Sequence, residues 1–309
     1  MEAQLAKILL YFDVFSYPLT REELMQFSGL PEERASQVEE SLERMAAKGW
    51  IKQEGGFYYI GPGDHFVKRR IDGNLLAQKR MKAAQRYSRI ISWFPFVRGV
   101  FLSGSISKGF MADHDDIDYF IITEPGRLWL SRTLLTLFKK IFLLNSYRNF
   151  CINYFVDTQN IFIPEQNIFT ATEIVFTVPT FNLSMHEEFL KTNSWTLRYY
   201  PTFRQNGNHL KENTPLLKVF LEKLLQNSLG DRLENYFLKK SVNYIRKKFA
   251  KMSDEEFTKA FSIKPHELRY LPNRQQFRIL DEYEKRIKDF EKLTGLNLGP
   301  DLVQQIDEK

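Results

Sequence analysis

Residues 101–123 read FLSGSISKGFMADHDDIDYFIIT, and this stretch joins two apolar runs through a segment rich in glycine and aspartate. The first run, 97–102, has the length of a β-strand. Gly104, Ser105 and Gly109 then end the apolar pattern, which predicts a turn or a short helix after the strand. Glycine lets a ligand approach the backbone closely, and free N–H groups in such a turn favour an anion such as a triphosphate.

Two side chains of this turn can contact the same anion. Ser105 offers a hydroxyl donor, and Lys108 offers a positive charge. A lysine in a surface turn is more often simply solvated, so the assignment of Lys108 to phosphate binding is the weaker of the two.

The second apolar run, 116–122, predicts another strand that begins with two aspartates. Side chains at positions i and i+2 of a strand point to the same face, so Asp116 and Asp118 project together. Paired carboxylates repel each other unless a cation neutralises them. Mg²⁺ prefers oxygen ligands and shares them with substrate phosphates, and it is therefore the expected cation.

The order Gly104-Ser105, ten further residues, then Asp116-Ile117-Asp118 and an apolar run resembles the nucleotidyltransferase signature of the DNA polymerase beta superfamily. The likeness covers residues 96–180 and is greatest to small bacterial nucleotidyltransferase domains. It implies a mixed sheet with packed helices, a triphosphate held by Gly104 and Ser105, and Mg²⁺ or Mn²⁺ held by Asp116 and Asp118. The implied reaction transfers a nucleoside monophosphate from an NTP to an acceptor and releases pyrophosphate.

The family pattern also implies a third carboxylate on a later strand, and here the sequence departs from it. The expected position, in the strand predicted at 149–156, holds Asn153, whose amide can ligate a cation but cannot act as a base. Asp157 has the same strand parity as Asn153 but lies about 13 Å further along an extended strand. Glu173 is a third possibility without positional support. Nucleotide binding is therefore better supported than turnover.

Residues 1–62 resemble a winged helix-turn-helix domain. Helical patterns cover residues 2–14, 21–28 and 31–48, with Thr20 as a predicted N-cap, and the glycines of 50–60 predict a β-hairpin. The third helix would be the one that reads DNA. It contains Glu32, Glu33, Glu39, Glu40 and Glu43, against Arg34, Arg44 and Lys48. So many carboxylates repel phosphates, so a packing role or a protein partner is preferred to DNA.

Residues 63–95 predict a basic connecting helix. Its cations are Lys68, Arg69, Arg70, Lys79, Arg80, Lys82, Arg86 and Arg89. A solvated face at the junction of two domains accounts for most of them, with a minority reaching the nucleotide cleft or an RNA phosphate.

The remaining residues, 181–309, predict a mainly helical C-terminal domain. Helical patterns at 220–225 and 236–238 are separated by Gly230, and a last amphipathic stretch runs from Arg274 to Leu293. The predicted fold class is therefore α+β, with a mixed-sheet core between the N-terminal domain and the C-terminal helices.

Composition limits the remaining possibilities. With Cys151 as the single cysteine of 309 residues, no intrachain disulfide can form, and a core thiol is expected. The five dispersed histidines lack zinc-ligand spacing, and only His114 lies near the aspartates. Residues 1–15 predict an ordinary helix, and 128–144 predict a helix packed on the sheet, so a cytoplasmic protein without membrane contact is expected.

Two functions remain open at this level. One is an enzyme that uses NTP and an unidentified acceptor. The other is an NTP-responsive regulator, catalytically weak or inactive, that acts through residues 1–62 on a protein or nucleic acid.

Overall fold

The computed structural model describes residues 1–63, 65–146, 148–203, 214–271 and 275–299. These ranges contain twelve α-helices and nine β-strands. The strands are β1 (Leu19–Thr20), β2 (Lys52–Glu54), β3 (Phe57–Tyr59), β4 (Val97–Ser103), β5 (Asp118–Thr123), β6 (Cys151–Asp157), β7 (Val178–Phe181), β8 (Phe261–Lys264) and β9 (Glu267–Tyr270). The helices are α1 (Glu2–Asp13), α2 (Arg21–Ser28), α3 (Ala35–Ala47), α4 (Phe66–Ser92), α5 (Gly104–Ser107), α6 (Leu128–Phe142), α7 (Ile168–Val175), α8 (Leu183–Thr192), α9 (Leu216–Leu225), α10 (Ser228–Lys248), α11 (Asp254–Ala260) and α12 (Gln275–Thr294).

The larger sheet has six strands in the order β7-β4-β5-β6-β9-β8. Only β5 and β6 pair in parallel, and α6 lies between them in the chain, as a parallel connection requires. All other neighbours in this sheet are antiparallel. The prediction of an α+β fold with a mixed sheet is confirmed.

Side-chain alternation along β4 and β5 explains why both faces of this sheet are covered. Val100 and Tyr119 belong to one buried cluster, which includes residues of α4 and α6. Phe101 and Phe120 belong to the other, which includes Phe189 of α8. The period-2 pattern of two apolar runs therefore places layers of helices on opposite faces.

The smaller sheet, in the order β1-β3-β2, packs with the first three helices. Thr20 caps α2 as predicted, with Glu23 completing a capping box. The predicted hairpin is also present, because Glu54 of β2 pairs with Phe57 of β3 across Gly55 and Gly56.

The predicted connecting helix is present as α4, but two of its cations are not solvated. Arg70 is buried and donates to the Pro18 carbonyl at 2.9 Å and to Glu23 at 2.6 Å. Arg80 is half-buried and donates to the Asp115 carbonyl at 2.6 Å. Both arginines thus hold loops in place. Lys68, Arg69, Lys79, Lys82, Arg86 and Arg89 are exposed, but Arg69 also donates to the Phe15 and Ser16 carbonyls at 2.8 and 3.0 Å.

Residues 181–309, predicted to be mainly helical, are not helical throughout their described part. The antiparallel pair β8 and β9 joins the edge of β6, so the C-terminal part supplies two of the six strands. Gly230 is not a break between helices either, since it lies within α10. A Cβ there would meet the Leu225 carbonyl oxygen at 1.8 Å, so glycine allows α9 and α10 to approach.

The last helix returns to the beginning of the chain. Ile279, Tyr283 and Phe290 of α12 share a buried cluster with Leu5 and Leu9 of α1. The expected start of this helix at Arg274 lies outside the described residues. No helix of the described ranges has both the length and the apolarity to cross a membrane.

Candidate functional site

A cavity of about 1200 Å³ opens where β4 ends and β5 begins. Its lining combines the turn after β4, the aspartates before and at the start of β5, and residues of β6, α7 and the C-terminal part. The lining residues of chemical interest are Gly104, Ser105, Lys108, His114, Asp115, Asp116, Asp118, Cys151, Asn153, Glu173, Lys248, Arg269 and Arg278. The turn and the aspartate pair predicted from sequence therefore face one space.

Gly104 lies directly against Asp118. Its φ of +67° is in the left-handed region, and a Cβ at this position would lie 2.5 Å from Asp118 Oδ2. The two residues meet because Ser103, at the end of β4, pairs with Asp118 at the start of β5. Glycine is thus required at position 104 both for the backbone angle and for the space in front of the carboxylate.

The two aspartates do not both lie in the strand. β5 begins at Asp118, and Asp116 precedes it, so the prediction of a strand from residue 116 is wrong by two residues. Alternation nevertheless continues, because Ile117 is fully buried between two half-buried aspartates. The Ile117 carbonyl accepts a hydrogen bond from the Cys151 amide at 3.0 Å, which extends the pairing of β5 and β6 towards Asp116.

The carboxyl group of Asp118 is partly withdrawn from water. Burial raises its pKa to about 6, and the nearby Glu173 and Asp116 act in the same direction, whereas a hydrogen bond from the Cys151 thiol lowers it. Burial and the Asp118 charge in turn raise the pKa of Cys151. This thiol is therefore a neutral donor in the core, as its strand position predicts.

Asn153 extends the same hydrogen-bond chain. Its Nδ2 donates to Cys151 Sγ at 2.9 Å, and Cys151 donates to Asp118. Asn153 lines the cavity beside the aspartates, at the position where a third carboxylate was expected.

Lys108 and Glu173 form an ion pair at the cavity wall. The Lys108 Nζ atom lies 2.8 Å from Glu173 Oε1 and donates to the Gly104 carbonyl at 3.1 Å. Because the Gly104 carbonyl also accepts from Ser107 Oγ at 2.9 Å, both side chains hold the turn in place. No pattern along the chain predicts Glu173 at this site, since only the packing of α7 brings it there.

Three other candidates lie differently. Asp157 does not line the cavity: it pairs with Thr123, at the opposite end of β5 from Asp118, and its Oδ1 accepts from Gln159 N at 3.0 Å. Gly109 is held through its carbonyl by Asn74 and is not among the lining residues. His114 lines the cavity but is almost fully solvated.

Sequence reasoning missed the residue that holds the aspartate loop. Arg80 donates to the Asp115 carbonyl at 2.6 Å and to Asn149 Oδ1 at 3.1 Å. It therefore ties the loop before β5 to the segment before β6. A single arginine in a basic helix gives no sequence signal for such a role.

The donor set fits a divalent cation that is completed by its ligand. Within the part of the chain that the structure describes, no three His, Cys, Asp or Glu side chains converge so as to hold a metal ion. Asp116 and Asp118 both line the cavity and offer two hard oxygen ligands, and the missing Cβ of Gly104 avoids a clash with the Asp118 carboxylate. Mg²⁺ commonly takes one or two carboxylates and fills its other positions with phosphate oxygens and water.

Comparisons with family models, with curated proteins and with solved structures find no match to this chain.

The raised pKa of Asp118 gives a stability prediction. A carboxyl whose pKa is higher in the folded state favours folding at low pH, and this contribution is lost as the pH rises from about 4 through about 6. Asp118→Asn removes the unfavourable charge, so we expect its free energy of unfolding to exceed that of the wild type by ~1–2 kcal/mol at pH 7. Denaturant titrations between pH 4.5 and 7.5 should show the difference growing with pH.

Asp157→Asn is the matched control for this experiment. Asp157 is also buried on the sheet, but its oxygen accepts hydrogen bonds from Gln159 and Asn160. No gain in stability is expected there. Equal stability of Asp118→Asn and the wild type at pH 7 would show that the Asp118 charge is not penalised.

Proposed function

We propose that this chain is a nucleotidyltransferase of the DNA polymerase beta superfamily type, which transfers a nucleoside monophosphate from an NTP to an acceptor and releases pyrophosphate. The observation that carries the proposal is the contact between Gly104 and Asp118, which brings a glycine turn and an aspartate pair to one cavity. Sequence likeness alone gave their order along the chain. The contact between the two residues in the fold is consistent with that order and adds a shared cavity.

Each residue of the site has a distinct task in this proposal. The backbone of the turn and the hydroxyl of Ser105 bind the triphosphate. Asp116 and Asp118 hold Mg²⁺ or Mn²⁺, which when bound neutralises phosphate charge and polarises the reacting phosphoryl group. Lys108 supplies a positive charge for a phosphate. To contact it, the Lys108 ammonium group gives up its ion pair with Glu173 or its hydrogen bond to the Gly104 carbonyl.

The surrounding architecture supports the same assignment. The sheet order places the turn and the aspartates on adjacent strands β4 and β5, with Asn153 on the next strand, β6. The order of α1, β1, α2, α3, β2 and β3 is compatible with a winged helix-turn-helix domain at the N-terminus. The C-terminal part lines the cavity with Lys248, Arg269 and Arg278, which supports a role for it in contacting the acceptor.

A second function, an NTP-binding regulator, is favoured by one feature. Asn153 occupies the position where the third carboxylate was expected, and an amide cannot take up the proton of an attacking hydroxyl. In this alternative the N-terminal part transmits the nucleotide signal. The glutamates of α3 remain exposed or half-buried, which favours a protein partner over DNA.

The proposal is tested by calorimetric titration of the four common NTPs with Mg²⁺ and with EDTA, followed by a pyrophosphate assay on the same samples. We expect binding that depends on Mg²⁺, together with slow pyrophosphate release in which water takes the nucleoside monophosphate in place of the unidentified acceptor. Binding without any release to water would favour the regulator. No binding by folded wild-type protein would refute a nucleotide function.

Gly104→Ala should reduce NTP affinity by at least about tenfold, since its Cβ would displace the Asp118 carboxylate. Gly126→Ala is the matched control: Gly126 has a φ of +65°, and a Cβ there meets nothing within 4 Å. It imposes the same backbone strain without touching the cavity. Equal affinities of the two variants would contradict the assignment of Gly104.

A further inference from the structure

The segment between α1 and α2 contacts the turn that the proposed function assigns to phosphate binding. The hydroxyl of Tyr17 donates to the Lys108 carbonyl at 3.0 Å, across 91 positions of sequence. The Tyr17 and Phe110 rings meet edge to face with their centroids 5.8 Å apart. Phe15, Ser16 and Tyr17 also line the cavity itself. The N-terminal part is therefore one wall of the site.

The first turns of α4 contact both Tyr17 and the turn after β4. The Arg70 guanidinium lies 3.7 Å from the centroid of the Tyr17 ring and donates to Pro18 and Glu23 of the N-terminal part. Its Nε donates to Asn74 Oδ1 at 2.8 Å, and the Asn74 amide donates to the Gly109 carbonyl. Consecutive carbonyls, at residues 108 and 109, are thus held by Tyr17 and by Asn74.

The same helix makes room for Phe110. A Cβ on Gly73 would lie 2.2 Å from the Phe110 ring, and the Gly73 carbonyl accepts from the Met111 amide at 3.0 Å. The turn after β4 is therefore fixed against α4 by main chain and side chain, and Tyr17 fixes it against the N-terminal part.

We propose that Tyr17 is a positioning residue of the nucleotide site, and that the N-terminal part belongs to this site structurally. This inference rests on the proposed function. Holding the Lys108 carbonyl fixes the start of the Lys108 side chain, whose Nζ reaches the Gly104 carbonyl and Glu173. Tyr17 thereby sets the shape of the turn and the place of its positive charge before the triphosphate arrives. Preorganisation of this kind improves affinity by reducing the cost of ordering the site.

The test compares Tyr17→Phe with wild type and with Tyr58→Phe. Tyr58 is a buried tyrosine of β3 in the N-terminal part; its hydroxyl accepts from Gln53 at 3.1 Å, and the residue does not line the cavity. We expect Tyr17→Phe to weaken Mg-ATP binding by roughly 3- to 10-fold, the effect of one hydrogen bond. The KM for ATP should rise by the same factor with little change in kcat, and Tyr58→Phe should change neither.

Hydrogen exchange on the protein without nucleotide gives a second readout. The amides of Lys108, Gly109 and Phe110 close the turn through bonds to the Ser105 and Ile106 carbonyls. Their exchange should be faster in Tyr17→Phe and unchanged in Tyr58→Phe.

Each outcome decides the matter. Unchanged affinity of Tyr17→Phe, with or without faster exchange, overturns the inference and leaves the proposed function intact. Equal weakening by Tyr58→Phe overturns the specific role of Tyr17. Absence of NTP binding by the wild type overturns the proposed function, and the inference with it.

Discussion

The double variant Asp116→Asn/Asp118→Asn should lose Mg²⁺-dependent pyrophosphate release by about 10²- to 10³-fold or more, while it remains folded. Both amides keep an oxygen that can contact a cation, but neither carries charge. In the proposed site, removal of the two carboxylates therefore removes the attraction for a metal ion and its triphosphate. Calorimetry with Mg-ATP should show the Mg²⁺-dependent part of the binding free energy disappear.

Stability should change in the opposite direction. The Asp118 carboxylate is disfavoured in the folded protein without metal, since burial and the neighbouring acids raise its pKa to about 6. The double variant should therefore unfold at a higher denaturant concentration than the wild type at pH 7. Loss of activity combined with a gain in stability is typical of a site kept for function and not for folding.

Asp113→Asn is the control for charge in the same loop. Asp113 is exposed and does not line the main cavity. Its substitution should leave affinity and turnover within about twofold of the wild type. Full retention of Mg²⁺-dependent turnover in the double variant would rule out Asp116 and Asp118 as the metal ligands.

The part of the site that sequence could predict is local. The apolar runs at 97–102 and 116–122 predict β4 and β5, although β5 begins two residues later than predicted, and the glycine after β4 marks the turn. Chain proximity then nearly determines that Gly104 faces Asp118, because the two strands pair from the turn outward. Thr20 and the glycines of the N-terminal hairpin were predictable for the same reason, since caps and turns depend on neighbouring residues.

The rest depends on pairings between distant residues. Glu173 reaches Lys108 across 65 positions of sequence, and Tyr17 reaches it across 91. No periodicity in either segment carries such information. β8 and β9 are only four residues each; β9 pairs with the edge of β6 and β8 pairs with β9, so these short strands depend on a partner distant in sequence. Asp157 had the right residue type and strand parity, but the parallel register with β5 places it at the wrong end of the sheet.

Asn153→Asp should create the third carboxylate that the site lacks. Asn153 lines the cavity and is linked through Cys151 to Asp118, so the new charge would lie beside the aspartate pair. We expect Mn²⁺ and Mg²⁺ to bind about 10-fold more tightly, equivalent to roughly 1.4 kcal/mol. Pyrophosphate release should rise as well, because a carboxylate, unlike an amide, can assist removal of a proton from the attacking group.

The same variant should be less stable without metal. A third negative charge near Asp118 raises the repulsion that already raises the Asp118 pKa. Thermal unfolding in EDTA should therefore occur at a lower temperature than in the wild type, and added Mn²⁺ should more than reverse the difference. A variant that unfolds at a lower temperature than the wild type in EDTA but at a higher one with Mn²⁺ has gained a metal ligand. A general effect of charge would not reverse the order.

Asn149→Asp is the control for an added carboxylate near β6. Asn149 accepts from Arg80 and does not line the cavity, so its variant should gain neither metal affinity nor turnover.

A gain specific to Asn153→Asp would mean that the wild-type site binds its metal with two carboxylates, and that the missing third one limits its rate. Rapid turnover by the wild type with no gain in the variant would refute that limit. The carboxylate to test next would then be Glu173, which already lines the cavity and is freed once Lys108 exchanges it for a phosphate.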